Sequence, residues 1–148
     1  MNFTDVMEER LNDLLEKTYD LEKLYEKAAV HANSPDLKEF FAQKAMERHG
    51  FGQDLKMDMM AYRQDTDDQG SAGGKMQRGW MDVKAFFSAN NDRSMLKEAV
   101  NGERMALDEY DEALEMPNLP PSTEVLLTRQ RSTISATLST LERMAEVA

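Results

Sequence analysis

Two charged residues, Arg48 and Glu103, stand where the apolar pattern of a long helix calls for a buried side chain. Each lies near the middle of its helix, the depth at which helix bundles often hold metal ligands. A buried glutamate by itself would be a candidate metal ligand, whereas a glutamate beside an arginine would form an internal ion pair. The helices that position these two residues decide between the two interpretations.

The apolar residues predict four long helices, and the first two carry Arg48. Helix one covers about residues 4–31, and helix two starts at Ser34-Pro35-Asp36, where Ser34 is a cap, and ends near residue 63. In each helix the apolar residues recur at spacings of three and four, as in a heptad seam. The predicted seam positions are Met7, Leu11, Leu14, Thr18, Leu21, Tyr25, Ala28 and Ala32 in helix one, and Leu37, Phe41, Lys44, Arg48, Phe51, Leu55 and Tyr62 in helix two.

Helices three and four follow a long connection. Residues 65–74 are polar and glycine-rich, which predicts a loop, and residues 75–89 predict a short helix that contains Trp80. Helix three covers about residues 92–115, and Pro120-Pro121 separate it from helix four. The predicted seams are Leu96, Ala99, Glu103, Ala106, Tyr110 and Ala113 in helix three, and Leu127, Gln130, Ile134, Thr137, Leu141 and Met144 in helix four.

The connection lengths predict the topology. Both hairpin turns are short, whereas roughly 26 residues between helices two and three suffice to run the length of a bundle about 40 Å long. We therefore expect one all-α domain over residues 1–148, a ferritin-like antiparallel four-helix bundle with a long crossover that contains the short helix. A weak internal repeat agrees with this, because an offset of 85 residues superposes Tyr25 on Tyr110 and Thr18 on Glu103. An offset of 86 superposes helix two on helix four.

Several short motifs resemble those of a bacterial domain-of-unknown-function family in the ferritin-like superfamily. The most specific are Arg78-Gly79-Trp80-Met81 with Lys84, and Gly102-Glu103 followed by Tyr110. The resemblance extends over nearly the whole chain, and it implies a ferritin-like four-helix bundle without implying an activity.

Ferritin-like metal enzymes place one Glu on each of two helices and a Glu-x-x-His pair on each of the other two. In this chain, one carboxylate remains among the six matching positions. Those positions are Thr18 and Glu103 for the single glutamates, and Arg48, Phe51, Ile134 and Thr137 for the two pairs. The fixed positive charge of Arg48 would also repel iron from Glu103. We therefore predict that the di-iron centre has been lost and that no cofactor is bound.

An internal Arg48–Glu103 ion pair is the predicted replacement, with Gln130, Thr18 or Tyr110 as candidate bridging residues. The alternative is that the Arg48 stem reaches water while Glu103 lies at the edge of the bundle. The two histidines of the chain, His31 and His49, lack a glutamate three residues earlier and are expected on the surface. Clustered Met57, Met59 and Met60 are expected to fill gaps in the core rather than to bind copper.

Composition narrows the function classes. A net charge of −10 argues against a nucleic-acid partner, and the absence of cysteine fits a reducing cytoplasm. The first residues contain no basic or apolar segment, so neither export nor a membrane span is expected. No phosphate-binding loop, dinucleotide fingerprint or Ser-His-Asp arrangement is present.

Two function classes stay open. One is a non-enzymatic structural or interaction protein, a homo-oligomer and in the simplest case a dimer, with Trp80, Phe86 and Phe87 as a candidate subunit contact. The other is an iron-handling or di-iron oxidoreductase with an unconventional site around Glu103, Tyr25 and Tyr110.

Overall fold

The computed structural model describes residues 3–62 and 91–148 of the chain. All regular structure within them is helical: α1 (Phe3–His31), α2 (Pro35–Tyr62), α3 (Asp92–Leu114) and α4 (Pro121–Val147). The predicted all-α class and four long helices are therefore confirmed, with bounds close to those expected. None of these four helices is long and apolar enough to cross a membrane. The predicted loop at 65–74, the short helix at 75–89 and Trp80, Phe86 and Phe87 lie outside the described residues.

Local signals in the sequence account for where α2 and α3 begin. The Ser34 hydroxyl accepts a hydrogen bond from the Leu37 N–H at 3.3 Å, which satisfies a donor that the first turn of α2 leaves without a helical partner. The side chain of Asn91 does the same for the Ser94 N–H at 2.8 Å, at the start of α3. Pro35 and Pro121 occupy the first positions of α2 and α4, where a missing N–H costs nothing.

The helices pack in pairs, α1 on α2 and α3 on α4, with further contacts between α1 and α3 and between α2 and α4. The Asp92 carboxylate, at the start of α3, accepts hydrogen bonds from the N–H groups of Asn33 and Ser34 in the α1–α2 turn. Near the other end, Arg10 of α1 forms an ion pair with Glu112 of α3 at 3.2 Å. Helices α1 and α3 therefore run antiparallel.

Helices α2 and α4 also run antiparallel. Near the end of α2, the Asp58 carboxylate accepts a hydrogen bond from the Thr123 hydroxyl at 2.7 Å, in the first turn of α4. Nearer the start of α2, Lys44 Nζ donates to the Thr137 hydroxyl at 3.1 Å. These polar contacts join the two helices along their length.

The buried seams follow the predicted heptad positions. Every predicted seam residue of α1 and α3 is buried, and so are those of α4 except Met144, which is half-buried. On α2, Lys44 and Phe51 are half-buried, whereas Arg48 is only 1 % exposed. Most of the core is aliphatic, but five of the predicted seam positions bury a polar side chain, and we call these five the polar layer: Thr18, Arg48, Glu103, Gln130 and Thr137.

Candidate functional site

The polar layer contains an ion pair between Arg48 and Glu103. Arg48 Nη1 lies 2.7 Å from Glu103 Oε1, and the two side chains are 1 % and 0 % exposed. The residues come from α2 and α3, two helices that are not among the closely packed pairs of the described residues, so the bond spans the interior of the molecule. A charge-assisted hydrogen bond of this length, removed from water, is strong once both partners are in place.

Tyr25 of α1 is the third member of this network. Its hydroxyl donates a hydrogen bond to Glu103 Oε2, so each oxygen of the carboxylate has its own donor. Burial raises the pKa of Tyr25 well above its ordinary value, and the negative charge of Glu103 raises it further. The bridging candidates expected from the sequence were Gln130, Thr18 and Tyr110, and the residue that contacts Glu103 is instead Tyr25.

Arg48 makes further contacts along α2. Its Nε donates to the Glu47 carboxylate at 3.3 Å, and its guanidinium carbon lies 5.0 Å from the centre of the Phe51 ring, within cation–π range. Burial alone lowers the pKa of Arg48, but the charge and hydrogen bond of Glu103, together with smaller effects of Tyr25 and Glu47, outweigh burial and hold the pKa above its ordinary value. The guanidinium therefore keeps its positive charge in the core.

A second set of hydrogen bonds joins uncharged groups in the core. The Tyr110 hydroxyl donates to Gln130 Oε1 at 2.5 Å, and Gln130 Nε2 donates to the backbone carbonyl of Phe51 at 3.3 Å. The Thr18 hydroxyl donates to the carbonyl of Leu14 in its own helix at 2.8 Å. Burial raises the pKa of Tyr110, against smaller opposing effects of Thr18 and Arg48. Thr18, Tyr110 and Gln130 thus bond elsewhere and leave Glu103 to Arg48 and Tyr25.

The internal repeat relates these contacts in pairs. Under the offset of 86 residues, Lys44 corresponds to Gln130 and Phe51 corresponds to Thr137. The hydrogen bond from Lys44 to Thr137 is therefore the counterpart of the hydrogen bond from Gln130 to Phe51. Arg48, in contrast, corresponds to the apolar Ile134. The two hydrogen bonds join corresponding positions of α2 and α4, one ending on a side chain and the other on a backbone carbonyl, but only α2 contributes a buried cation.

The side chains present do not fit a di-iron centre. Of the six positions that would supply ligands, five are buried and Phe51 is half-buried, but only Glu103 is a carboxylate. Both oxygens of that carboxylate already accept hydrogen bonds, one of them from a permanent cation. Within residues 3–62 and 91–148, no cluster of three or more His, Asp or Glu side chains could hold a metal ion.

The two histidines lie on the surface. His49 is exposed, and its Nδ1 lies 3.1 Å from the Glu22 carboxylate across the α1–α2 groove. His31 is exposed at the end of α1, where its Nδ1 lies 3.0 Å from the Lys27 carbonyl. Neither imidazole takes part in the buried layer.

Comparison with known protein families matches residues 6–116 to a domain of unknown function, DUF2383. The chain belongs to the DUF2383 family. The predicted membership of a domain-of-unknown-function family is confirmed at this level. Comparisons with the curated proteins and with the solved structures found no match.

The DUF2383 match covers every charged member of the buried network. Tyr25, Arg48 and Glu103 lie within it, and so does Tyr110. It ends before α4, which supplies the uncharged Gln130, Ile134 and Thr137. The charged half of the centre therefore belongs to the DUF2383 region itself.

We expect two of the four tyrosines of this DUF2383 protein to ionise only when it unfolds. The pKa values of Tyr25 and Tyr110 are raised in the folded state. Their contribution to stability is therefore present below the ordinary tyrosine pKa, about 10, and is lost as the pH rises beyond it. Phenolate absorbance and helical circular dichroism should change together in this alkaline range.

The control is the double variant Tyr25→Phe, Tyr110→Phe, in which the phenolate signal coupled to unfolding should disappear. Ionisation of all four tyrosines with an intact helical spectrum would contradict the prediction.

Proposed function

We propose that this chain is a ferritin-like four-helix bundle that acts as a non-enzymatic structural or interaction protein, with a buried ion-pair network where related bundles bind two irons. The observation that carries the proposal is the distance of 2.7 Å between the Arg48 guanidinium and Glu103, the single carboxylate of the layer. A guanidinium does not lose its proton in a protein, so its charge persists at every pH of interest.

Chain direction supports the ferritin-like topology. The end of α2 lies beside the start of α4, where Asp58 contacts Thr123. The start of α3 lies beside the α1–α2 turn, where Asp92 contacts Ser34. Residues 63–91 therefore join points near opposite ends of the helices, as the long crossover of a ferritin-like bundle does. The paired hydrogen bonds of the internal repeat agree with a single domain built from two related hairpins.

Electrostatics supports the non-enzymatic assignment. Iron bound at Glu103 would have to displace both Arg48 and Tyr25 and would then face the buried guanidinium at short range. The alternative iron site around Glu103, Tyr25 and Tyr110 receives no support from the geometry, because the Tyr110 hydroxyl donates to Gln130 instead. A bacterial cytoplasmic location is part of the proposal, and it rests on the family resemblance and on the absence of cysteine.

Metal analysis tests this function. Protein purified from cells grown with added iron, and apoprotein incubated with Fe(II), Mn(II) or Cu(II), should carry far less than one ion per chain after gel filtration. The Glu112→Gln variant, which removes an exposed carboxylate of the same helix, is the matched control for weak surface binding.

One or two ions per chain that are retained by Glu112→Gln and lost in Glu103→Gln would overturn the proposal. Ions retained by both variants would belong to a different site and would leave the assignment of the centre standing.

A further inference from the structure

Gly50 is an exposed glycine in the interior of α2 that no contact among the described residues requires. A Cβ atom added to it would have no neighbour within 4 Å in residues 3–62 and 91–148, and its backbone is not in the left-handed region. Gly52, by contrast, lies against α1, where an added Cβ would come within 3.2 Å of the Tyr19 ring. Because glycine is disfavoured inside a helix relative to alanine, the open position at Gly50 indicates the close approach of another backbone.

Gly50 lies in the middle of an uncharged stripe on the outer face of α2. The members of the α2 stripe are all exposed and recur at alternating spacings of three and four: Gln43, Met46, Gly50, Gln53, Met57 and Met60. Met46 and Met57 are 76 % and 68 % exposed; of the three clustered methionines expected to fill the core only Met59 is buried, so the prediction was wrong for Met57 and Met60. This spacing is that of a coiled-coil seam, and it occurs in a chain where 31 % of the residues are charged.

The two edges of the α2 stripe differ in charge. Glu47 and Asp54 each follow a stripe residue and lie on one edge, whereas the ammonium of Lys56 precedes one and lies on the other, on the same side as the imidazole of His49, which contacts Glu22 at 3.1 Å. In a parallel pair of such helices, the acidic edge of each faces the basic edge of its partner. In an antiparallel pair, acids would face acids and bases would face bases.

We propose that the α2 stripe is the interface of a parallel, two-fold symmetric dimer formed with a second copy of this chain. Gly50 allows the two α2 backbones to approach closely at the centre, and Met46 and Met57 pack on either side of it. The charged edges select the parallel orientation and supply the complementarity that a protein of net charge −10 needs to bind itself. The dimer deepens the proposed function by naming the partner, and it rests on that function being an interaction role.

The mass in solution tests the interface. Sedimentation of the full chain should give two chains per particle, and Met46→Glu or Met57→Glu should raise the dimer dissociation constant at least tenfold. Val125→Glu places the same charge on a valine of α4 that is 55 % exposed, and it should leave the dimer intact. Gly50→Leu should weaken the dimer without lowering the thermal stability of the monomer, since a Cβ atom at this position meets no atom of the described residues.

Cross-linking tests the orientation. The chain has no cysteine, so Gln43→Cys introduces a single thiol near one end of the stripe. In a parallel dimer the two copies of this thiol are close enough to form a disulfide on mild oxidation. In an antiparallel dimer they would be about 25 Å apart at 1.5 Å per residue, and cross-links would form only when Gln43→Cys and Met60→Cys chains are mixed.

A single-chain mass for the wild-type protein, a dimer that survives Met46→Glu and Gly50→Leu, or cross-links confined to the mixed sample would each overturn the proposal. These outcomes are separate from a failure of the proposed function, because metal analysis decides that function whatever the mass of the particle.

Discussion

Replacing Glu103 by alanine should lower the free energy of unfolding by about 3–5 kcal/mol. The variant leaves Arg48 buried with no carboxylate beside it, and it also removes the acceptor of the Tyr25 hydroxyl. An uncompensated charge in the core costs far more than the bond itself contributes, because the guanidinium cannot neutralise itself by losing a proton. Urea unfolding followed by circular dichroism measures this change.

The control is Glu112→Ala, which removes a carboxylate from the exposed face of the same helix. Glu112 pairs with Arg10 at 3.2 Å, with side chains 56 % and 31 % exposed. Exposed pairs contribute about 0–1 kcal/mol, so this variant should unfold close to the wild type. If Glu103→Ala lost no more stability than Glu112→Ala, Arg48 would not depend on Glu103 for its burial.

Replacing the whole network with apolar side chains should restore most of the stability that any single replacement removes. The triple variant Tyr25→Phe, Arg48→Met, Glu103→Leu retains the approximate volume of the layer and leaves no polar atom of the network behind. Buried ion pairs replaced in this way are often neutral or more stable, because the cost of removing both charges from water is no longer incurred. We therefore expect its free energy of unfolding to lie close to that of the wild type.

The structure makes this prediction specific to three residues. The double variant Arg48→Met, Glu103→Leu still contains the Tyr25 hydroxyl, whose acceptor has gone, and it should be less stable than the triple variant by about 1–3 kcal/mol. Chemical unfolding of all three proteins under one set of conditions gives the comparison. A double variant as stable as the triple would show that the Tyr25 hydroxyl does not depend on the Glu103 carboxylate. A triple variant as unstable as Glu103→Ala would show that the polar layer needs its charges.

The positions of the helices and the inward direction of Arg48 and Glu103 could be predicted from the sequence, because both depend on local patterns. Apolar spacing identifies the buried face of each helix, and Ser34 and Asn91 mark where helices begin through hydrogen bonds to residues three positions away. Such signals involve only neighbours along the chain. The five positions of the polar layer were all predicted as seam positions in this way.

The partner of Glu103 on α1 could not be predicted in the same way. Tyr25 and Thr18 lie on one seam, and the pattern shows only that both point inward. The relative stagger of α1 and α3 brings the Tyr25 hydroxyl to Glu103, while Thr18 donates to the carbonyl of Leu14. The methionines illustrate the same limit, since Met59 is buried and its neighbours Met57 and Met60 are exposed.

The sequence by itself determined the all-α class, the four helices, the membership of a domain-of-unknown-function family and the presence of two opposite charges at core positions. Only the tertiary structure decided that these charges meet at 2.7 Å and that Tyr25 occupies the second oxygen of Glu103. It also decided that the α2 stripe faces outward. The physical reason is that helix periodicity assigns each residue to a face, whereas the stagger and rotation of whole helices, set by packing, decide which atoms on those faces touch.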